Sequence, residues 1–288
     1  RSIVVAEAHA RRRQQRVEDA LFSGVFGAVA NLDDFLFAQQ LDELAADVAA
    51  ALHGVAVLAD VFIAVLVLQR GHQALQRAVD NGVKNLVVQP THLMHGAEYD
   101  ELTEAVESYK DKFESVTIAE PLLGEVGDSD DAVNDDKKAV AEAITAEAVK
   151  TAGYDSLEVA EADGTAFVFM GHGTTHQVNT VYAGLDQKFK ESAHANVFIG
   201  TVEADPTIHD LVKEVTSFQP SKIYVTPFMI VAGNHAHNDM AGDSPDSWVC
   251  QFENAGFEVC PIIKGLGEYP GIRRMYVEHA QKAIDSMK

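Results

Sequence analysis

The sequence predicts an α/β fold built on parallel sheets, and three observations carry that prediction. Short apolar runs, rich in β-branched and aromatic residues and bounded by turn residues, recur along the second half of the chain. Helical stretches separate them, so successive strands are joined by crossovers and lie parallel in one sheet. Three of the strands, in "FVFMGHGTTH", "VFIGTVEADP" and "KIYVTPFMIVAGNHAHNDMAGD", run straight into His172, Glu203 and His235. Parallel sheets bind ligands beyond the carboxyl ends of their strands, so these three side chains are expected to converge.

Taken in order, residues 1–71 are the least legible. "RRRQQRVEDALF" and "NLDDFLFAQQLDELAADVAAAL" read as helices, the second capped by Asn31, and "VFIAVLVLQRG" reads as a buried strand ended by Gly71. "HQALQRAVDNG" is a helix closed by Gly82. "VKNLVVQP" is a strand, the amphipathic "DELTEAVESYKDKF" a helix, and "SVTIAEPLL" the next strand. The acidic "GEVGDSDDAVNDD" marks a domain boundary or a surface loop, its charges a solvated face. A helix over "KKAVAEAITAEAVKTAG" and a turn-rich "YDSLEVAEADGT" lead into the regular half. There, strands at 166–171, 197–202, 222–231 and 257–263 alternate with helices at 178–192, 206–217, 245–254 and 270–286. Asp205 before Pro206 and Ser244 before Pro245 read as caps of two of those helices.

Composition narrows the functional classes. A chain of 288 residues, 47% apolar, has room for two domains with a substantial core. A net charge of −22 argues against nucleic acid, whose phosphates need a basic face. No apolar leader with a cleavage site is visible. The most hydrophobic run, "VAVLADVFIAVLVL", contains Asp60 and is shorter than the roughly 20 residues of a bilayer span, so no membrane partner is expected. Cys250 and Cys260 are too few for a disulfide framework and read as buried, reduced thiols in a cytoplasmic protein.

Two imidazoles and a carboxylate suit a divalent first-row metal, and three protein ligands leave coordination positions open. Glycines at 171, 173, 200 and 233 flank the three residues and let a ligand approach the backbone. The stretch "HAHND" offers a competing metal motif in His235, His237 and Asp239, that of a metal-dependent hydrolase. Met240 stands where that motif has a histidine, and His237 and Asp239 read better as residues that shape the loop or orient the ligands from behind. On the other side, His92 and His95 in "PTHLMHG" also follow a strand end.

With these pieces in place the chain resembles the anaerobic cobalt chelatases of the CbiK type, the sirohydrochlorin cobaltochelatases of the class II chelatase superfamily. The likeness rests on "VVQPTHLMHGAEYDEL", "PLL", "FMGHGT", "GTVEADP" and "FMIVAGNHAHNDMAGDSPDSW", and spans residues 72–288. It implies two domains, each a parallel sheet flanked by helices, with a tetrapyrrole cleft between them. On this sequence they are residues 1–125, completed by the C-terminal helix 270–288, and residues 126–269, which carry the metal site. The resemblance also implies insertion of Co2+ into sirohydrochlorin in anaerobic cobalamin biosynthesis, without ATP or any nucleotide and with release of two protons. Fe2+ and Ni2+ suit the same ligands. His172, Glu203 and His235 would hold the metal, with His172 or Glu203 accepting a proton. His92, Met94, His95, Phe228 and Met229 are expected to meet the ring, beside Tyr99, and Lys264, Arg273 and Arg274 its carboxylates. A non-catalytic carrier using the same cleft is the alternative, and a homo-oligomer stays open. The family's opening strand and loop, of the form "LVVSFGT", has no counterpart in residues 1–71; divergence and translation in a shifted reading frame both account for that.

Overall fold

The computed structural model describes residues 61–66, 71–125, 134–191 and 195–287. The helices expected in "RRRQQRVEDALF" and "NLDDFLFAQQLDELAADVAAAL" lie outside them, as does the acidic stretch 126–133. Two parallel sheets organise what is described. The first holds β1 (Val61–Leu66), β2 (Asn85–Pro90) and β3 (Ser115–Ile118) in that order. The second holds β4 (Thr165–Gly171), β5 (Val197–Thr201), β6 (Lys222–Pro227) and β7 (Glu258–Pro261) in the order β5-β4-β6-β7.

Strand β4 is central and every one of its residues is buried. Side chains alternate between faces along a strand. Phe167 and Phe169 therefore join one core while Ala166, Val168 and Met170 join the other. On the first face lie α3 (Asp135–Thr151), α4 (Leu157–Ala162) and α5 (Thr180–Glu191); on the second lie α6 (Ile208–Phe218) and α7 (Trp248–Asn254). The helix after β4 and the helix after β5 thus cover opposite faces. That reversal opens a crevice at the carboxyl ends of the central strands.

In the smaller sheet, Leu86 and Val88 pack under α1 (Gly71–Asp80) and α2 (Ala97–Glu107). Helix α8 (Pro270–Ser286) covers the other face, where Ala283 meets Val87 and Ala119. The same helix gives Ile272, Met275, Tyr276 and Ala280 to the core of the larger sheet. It therefore serves both sheets. Tyr276 is fully buried, its hydroxyl donating to the carbonyls of Thr91 (3.2 Å) and His92 (3.1 Å), and burial pushes its pKa well up.

Several expected boundaries move, each for a visible reason. Gly82 does close α1: it sits at φ +73, in the left-handed region that favours glycine. Helix α2 starts before the expected Asp100, directly after Gly96. Strand β3 stops at Ile118 instead of running through "PLL", and Pro121 follows. The turn-rich segment contains α4, because Ser156 accepts the Val159 N–H and caps it. The acidic run is not wholly a solvated face: Asn134 caps α3, and Asp136 pairs with the buried His279 at 3.1 Å. Helix α6 is capped by Thr207 instead of Asp205, and α7 by Ser247 instead of Ser244. Strand β6 ends at Pro227, well short of 231. Beyond it the Met229 and Ile230 carbonyls accept from Leu266 and Gly267 at 2.9 Å, which draws the chain off the sheet. Cys250 and Cys260 are free, and both are partly exposed instead of buried.

Tyr276→Phe keeps the packing of α8 and removes one buried donor shared by the carbonyls of Thr91 and His92. It should cost about 1–2 kcal/mol, read as a lower urea midpoint at unchanged slope.

Candidate metal centre

Because β4 lies between β5 and β6, the residues just past the ends of these three strands are neighbours in space. One ligand atom from each of His172, Glu203 and His235 falls within 4.8 Å of the others. His172 Nε2 is 3.8 Å from Glu203 Oε1, and the two imidazole rings stand edge-on, 4.7 Å between centroids and 88° apart. The side chains are 44%, 56% and 34% exposed for His172, Glu203 and His235, so the cluster is open on one side.

The backbone sets this geometry. The β4–β5 ladder continues past both strands: Val202 N–H donates to Gly171 C=O at 3.0 Å and Glu203 N–H to His172 C=O at 2.9 Å. Gly173 lets the chain turn away. It lies at φ +85, and a Cβ there would stand 2.9 Å from Ala204 N and the Thr201 side chain. Gly171 is needed too, since a Cβ would run into the Tyr182 ring. Thr201, almost fully buried, closes the next turn by donating to Ala204 C=O at 2.5 Å and accepting from Ala204 N–H at 3.1 Å. Burial pushes the Tyr182 hydroxyl up to about 12, so it stays neutral beside the site.

His235 and Asp239 share a single π-helical turn (His235–Met240), rooted in the second core by the fully buried Ala236 and Met240. Such turns are rare and often sit at functional places. Asp239 Oδ2 lies 2.6 Å from His235 Nδ1. His172 Nδ1 lies 2.7 Å from the Gly173 carbonyl oxygen, which can only accept. In both rings the proton is thereby held on Nδ1, and Nε2 presents a lone pair. A carboxylate behind an imidazole also makes it a stronger ligand. The motif His235, His237 and Asp239 does not assemble into a cluster of its own among the described residues: Asp239 meets His235 at Nδ1, and His237 is exposed and outside the group of three.

The other expected residues are placed differently. Phe228 is fully buried edge-on to Tyr182 and has no free face, which corrects its expected role in contacting the ring. Met229 and Met94 are partly buried against the two cores of the larger sheet. His95 Nε2 pairs with Glu120 at 2.7 Å, and its ring rests on Tyr99 at 4.1 Å. Burial, Glu120 and Asp100 push the Tyr99 hydroxyl up to about 12, while burial lowers the His92 pKa. Two of the expected carboxylate-binding cations are engaged elsewhere. Lys264 lies 4.5 Å over the Tyr269 ring, and Arg273 donates to the carbonyls of Gly267 and Glu268. Arg274 is exposed. Sequence reasoning missed Asn179, which joins the loops after β4 and β5, two of the three that carry the cluster, and carries no motif signal.

Known proteins match over this region. The family model described as cobalt chelatase (CbiK) covers residues 61–285. The sirohydrochlorin cobaltochelatase of Salmonella typhimurium is 32% identical over 213 residues, 74% of this chain and 74% of that protein. The sirohydrochlorin cobaltochelatase CbiKC of Nitratidesulfovibrio vulgaris is 29% identical over 217 residues, 75% of this chain and 71% of that protein. Among solved structures, the sirohydrochlorin chelatase SirB from Bacillus subtilis subspecies spizizenii, in complex with cobalt, superposes with a TM-score of 0.53. That superposition covers 86% of this chain and 90% of SirB at 12% identity, so the shared property is the α/β fold. Among the described residues no helix is long and apolar enough to cross a membrane.

Asp239→Asn should weaken Co2+ binding about 10- to 100-fold, the usual effect of removing a ligand's supporting hydrogen bond. Titration calorimetry with Co2+ alone reads this directly.

Proposed function

This chain belongs to the cobalt chelatase (CbiK) family, and on that footing we propose that it inserts Co2+ into sirohydrochlorin without ATP, releasing two protons, in anaerobic cobalamin biosynthesis. The observation that carries the reading is the convergence of His172, Glu203 and His235 within 4.8 Å at three strand ends. Two neutral imidazoles and a carboxylate suit Co2+, and Fe2+ and Ni2+ as well. The ion is a substrate, so it must be held and then surrendered. A half-exposed set of three ligands suits that better than a closed set of four.

As the metal enters the ring, two pyrrole N–H protons must leave. His172 Nε2 becomes a free base once it releases the ion and can accept one of them. The Glu203 carboxylate, 3.8 Å away, takes a proton or passes it to solvent. In this reading the described residues up to 125, together with α8, belong to one domain and residues 134–269 to the other, and the ring enters between them against His92, Met94, His95 and Met229. The names of the two relatives support the choice of ring and metal. The free thiols of Cys250 and Cys260 suit a reducing cytoplasm.

Mixing the purified protein with sirohydrochlorin and Co2+ should change the visible absorbance far faster than the protein-free mixture. A folded sample that matches the background rate overturns the reading, and one that binds both without acceleration is a carrier. His172→Ala should lower kcat about 100- to 10,000-fold. Glu203→Gln should act mainly on the KM for Co2+.

A further inference from the structure

Asn179 stands at the start of α5, yet its side chain is not used to build that helix. The turn before α5 closes through Asn179 N–H to His176 C=O at 3.0 Å and the Thr180 hydroxyl to Gln177 C=O at 3.2 Å. The amide of Asn179 spans two loops instead. Its Oδ1 accepts from Thr174 N–H at 3.0 Å, and its Nδ2 donates to Asp205 C=O at 2.7 Å. Thr174 lies two residues after His172, and Asp205 two residues after Glu203. One side chain therefore ties together the loops that carry two of the three clustered ligands.

The flank beside it is open. A cavity of about 700 Å³ lies there, lined by Thr174, Asn179, Glu203 and Asp205 among others. Glu203 is thus bordered by space on that side, and its loop is held there by Thr201 from within and by Asn179 from across the cavity. The turn carrying Asn179 also faces helix α2. His176 Nδ1 accepts from Val178 N–H at 3.2 Å, which leaves the proton on Nε2, 3.5 Å from the Asp100 carboxylate on α2.

We infer that Asn179 is a positioning residue of the metal centre: by clamping the loop after β4 to the loop after β5 just beyond the backbone bonds that set the spacing, it keeps the Glu203 carboxylate aimed at His172. It touches neither ion nor ring. The inference deepens the reading of the cluster as a Co2+ site and rests on it, but it does not need the chelatase reaction.

The test uses Co2+ alone, followed by calorimetry and by the visible absorption bands that report its coordination. Asn179→Ala should raise the Kd for Co2+ about 10- to 100-fold and shift those bands, with Tm little changed. Asn179→Asp keeps the acceptor for Thr174 N–H and lacks the donor for Asp205 C=O; it should weaken binding as well. If Asn179→Ala does not fold, the aspartate variant decides. Native affinity and native bands in a folded variant overturn the inference. Failure of the unaltered protein to bind Co2+ overturns the metal reading of the cluster itself, so the two failures are told apart.

Discussion

Two backbone hydrogen bonds beyond the ends of β4 and β5 govern the site: Val202 N–H to Gly171 C=O and Glu203 N–H to His172 C=O. A sheet ladder ordinarily stops where its strands splay apart. Here it runs on for two more residues, so the ligand-bearing positions inherit the strand spacing and a side chain from each loop meets the other. What surrounds these bonds keeps them in place. Tyr182 fills the space left by the missing side chain of Gly171, Gly173 takes the left-handed turn that L side chains resist, and Thr201 folds the second loop back on itself. His235 arrives by a different device, a π-helical turn fixed by two buried apolar residues.

Much of this was legible in the sequence, and the exceptions have physical causes. The apolar runs and their helical spacers marked the strands, because β4 is buried on both faces and its sequence is uninterrupted. The clustering of His172, Glu203 and His235 was legible because the three residues sit where parallel strands end. The order β5-β4-β6-β7 was not, since strand adjacency is settled by which faces the helices cover. Caps were misplaced where two candidates lie close together: Thr207 competes with Asp205, and Ser247 with Ser244, and only the geometry of the first turn decides. Phe228 was misplaced because an aromatic beside a strand end reads the same whether it faces a ligand or the core. Asn179 was invisible because its work is to join two backbone segments that only the fold brings together.

Charge is distributed in keeping with a cationic substrate. The net charge of −22 attracts divalent ions over the whole surface, although salt screens that field beyond roughly 10 Å. Lys264 and Arg273 are committed to an aromatic face and to backbone carbonyls, and neither lines the open flank of Glu203.

Helix α8 ties the order of synthesis to the order of folding. It supplies Tyr276 and Ile272 to one sheet and Ala283 to the other, yet its residues leave the ribosome after every other described element. Until then the Val87 and Ala119 face of the smaller sheet lacks the helix that covers it, and the larger core lacks Tyr276, one of its biggest aromatic side chains. The nascent chain is thus an unfinished two-layer assembly that its final turns close, and a premature stop before residue 270 would expose apolar surface on both sheets at once.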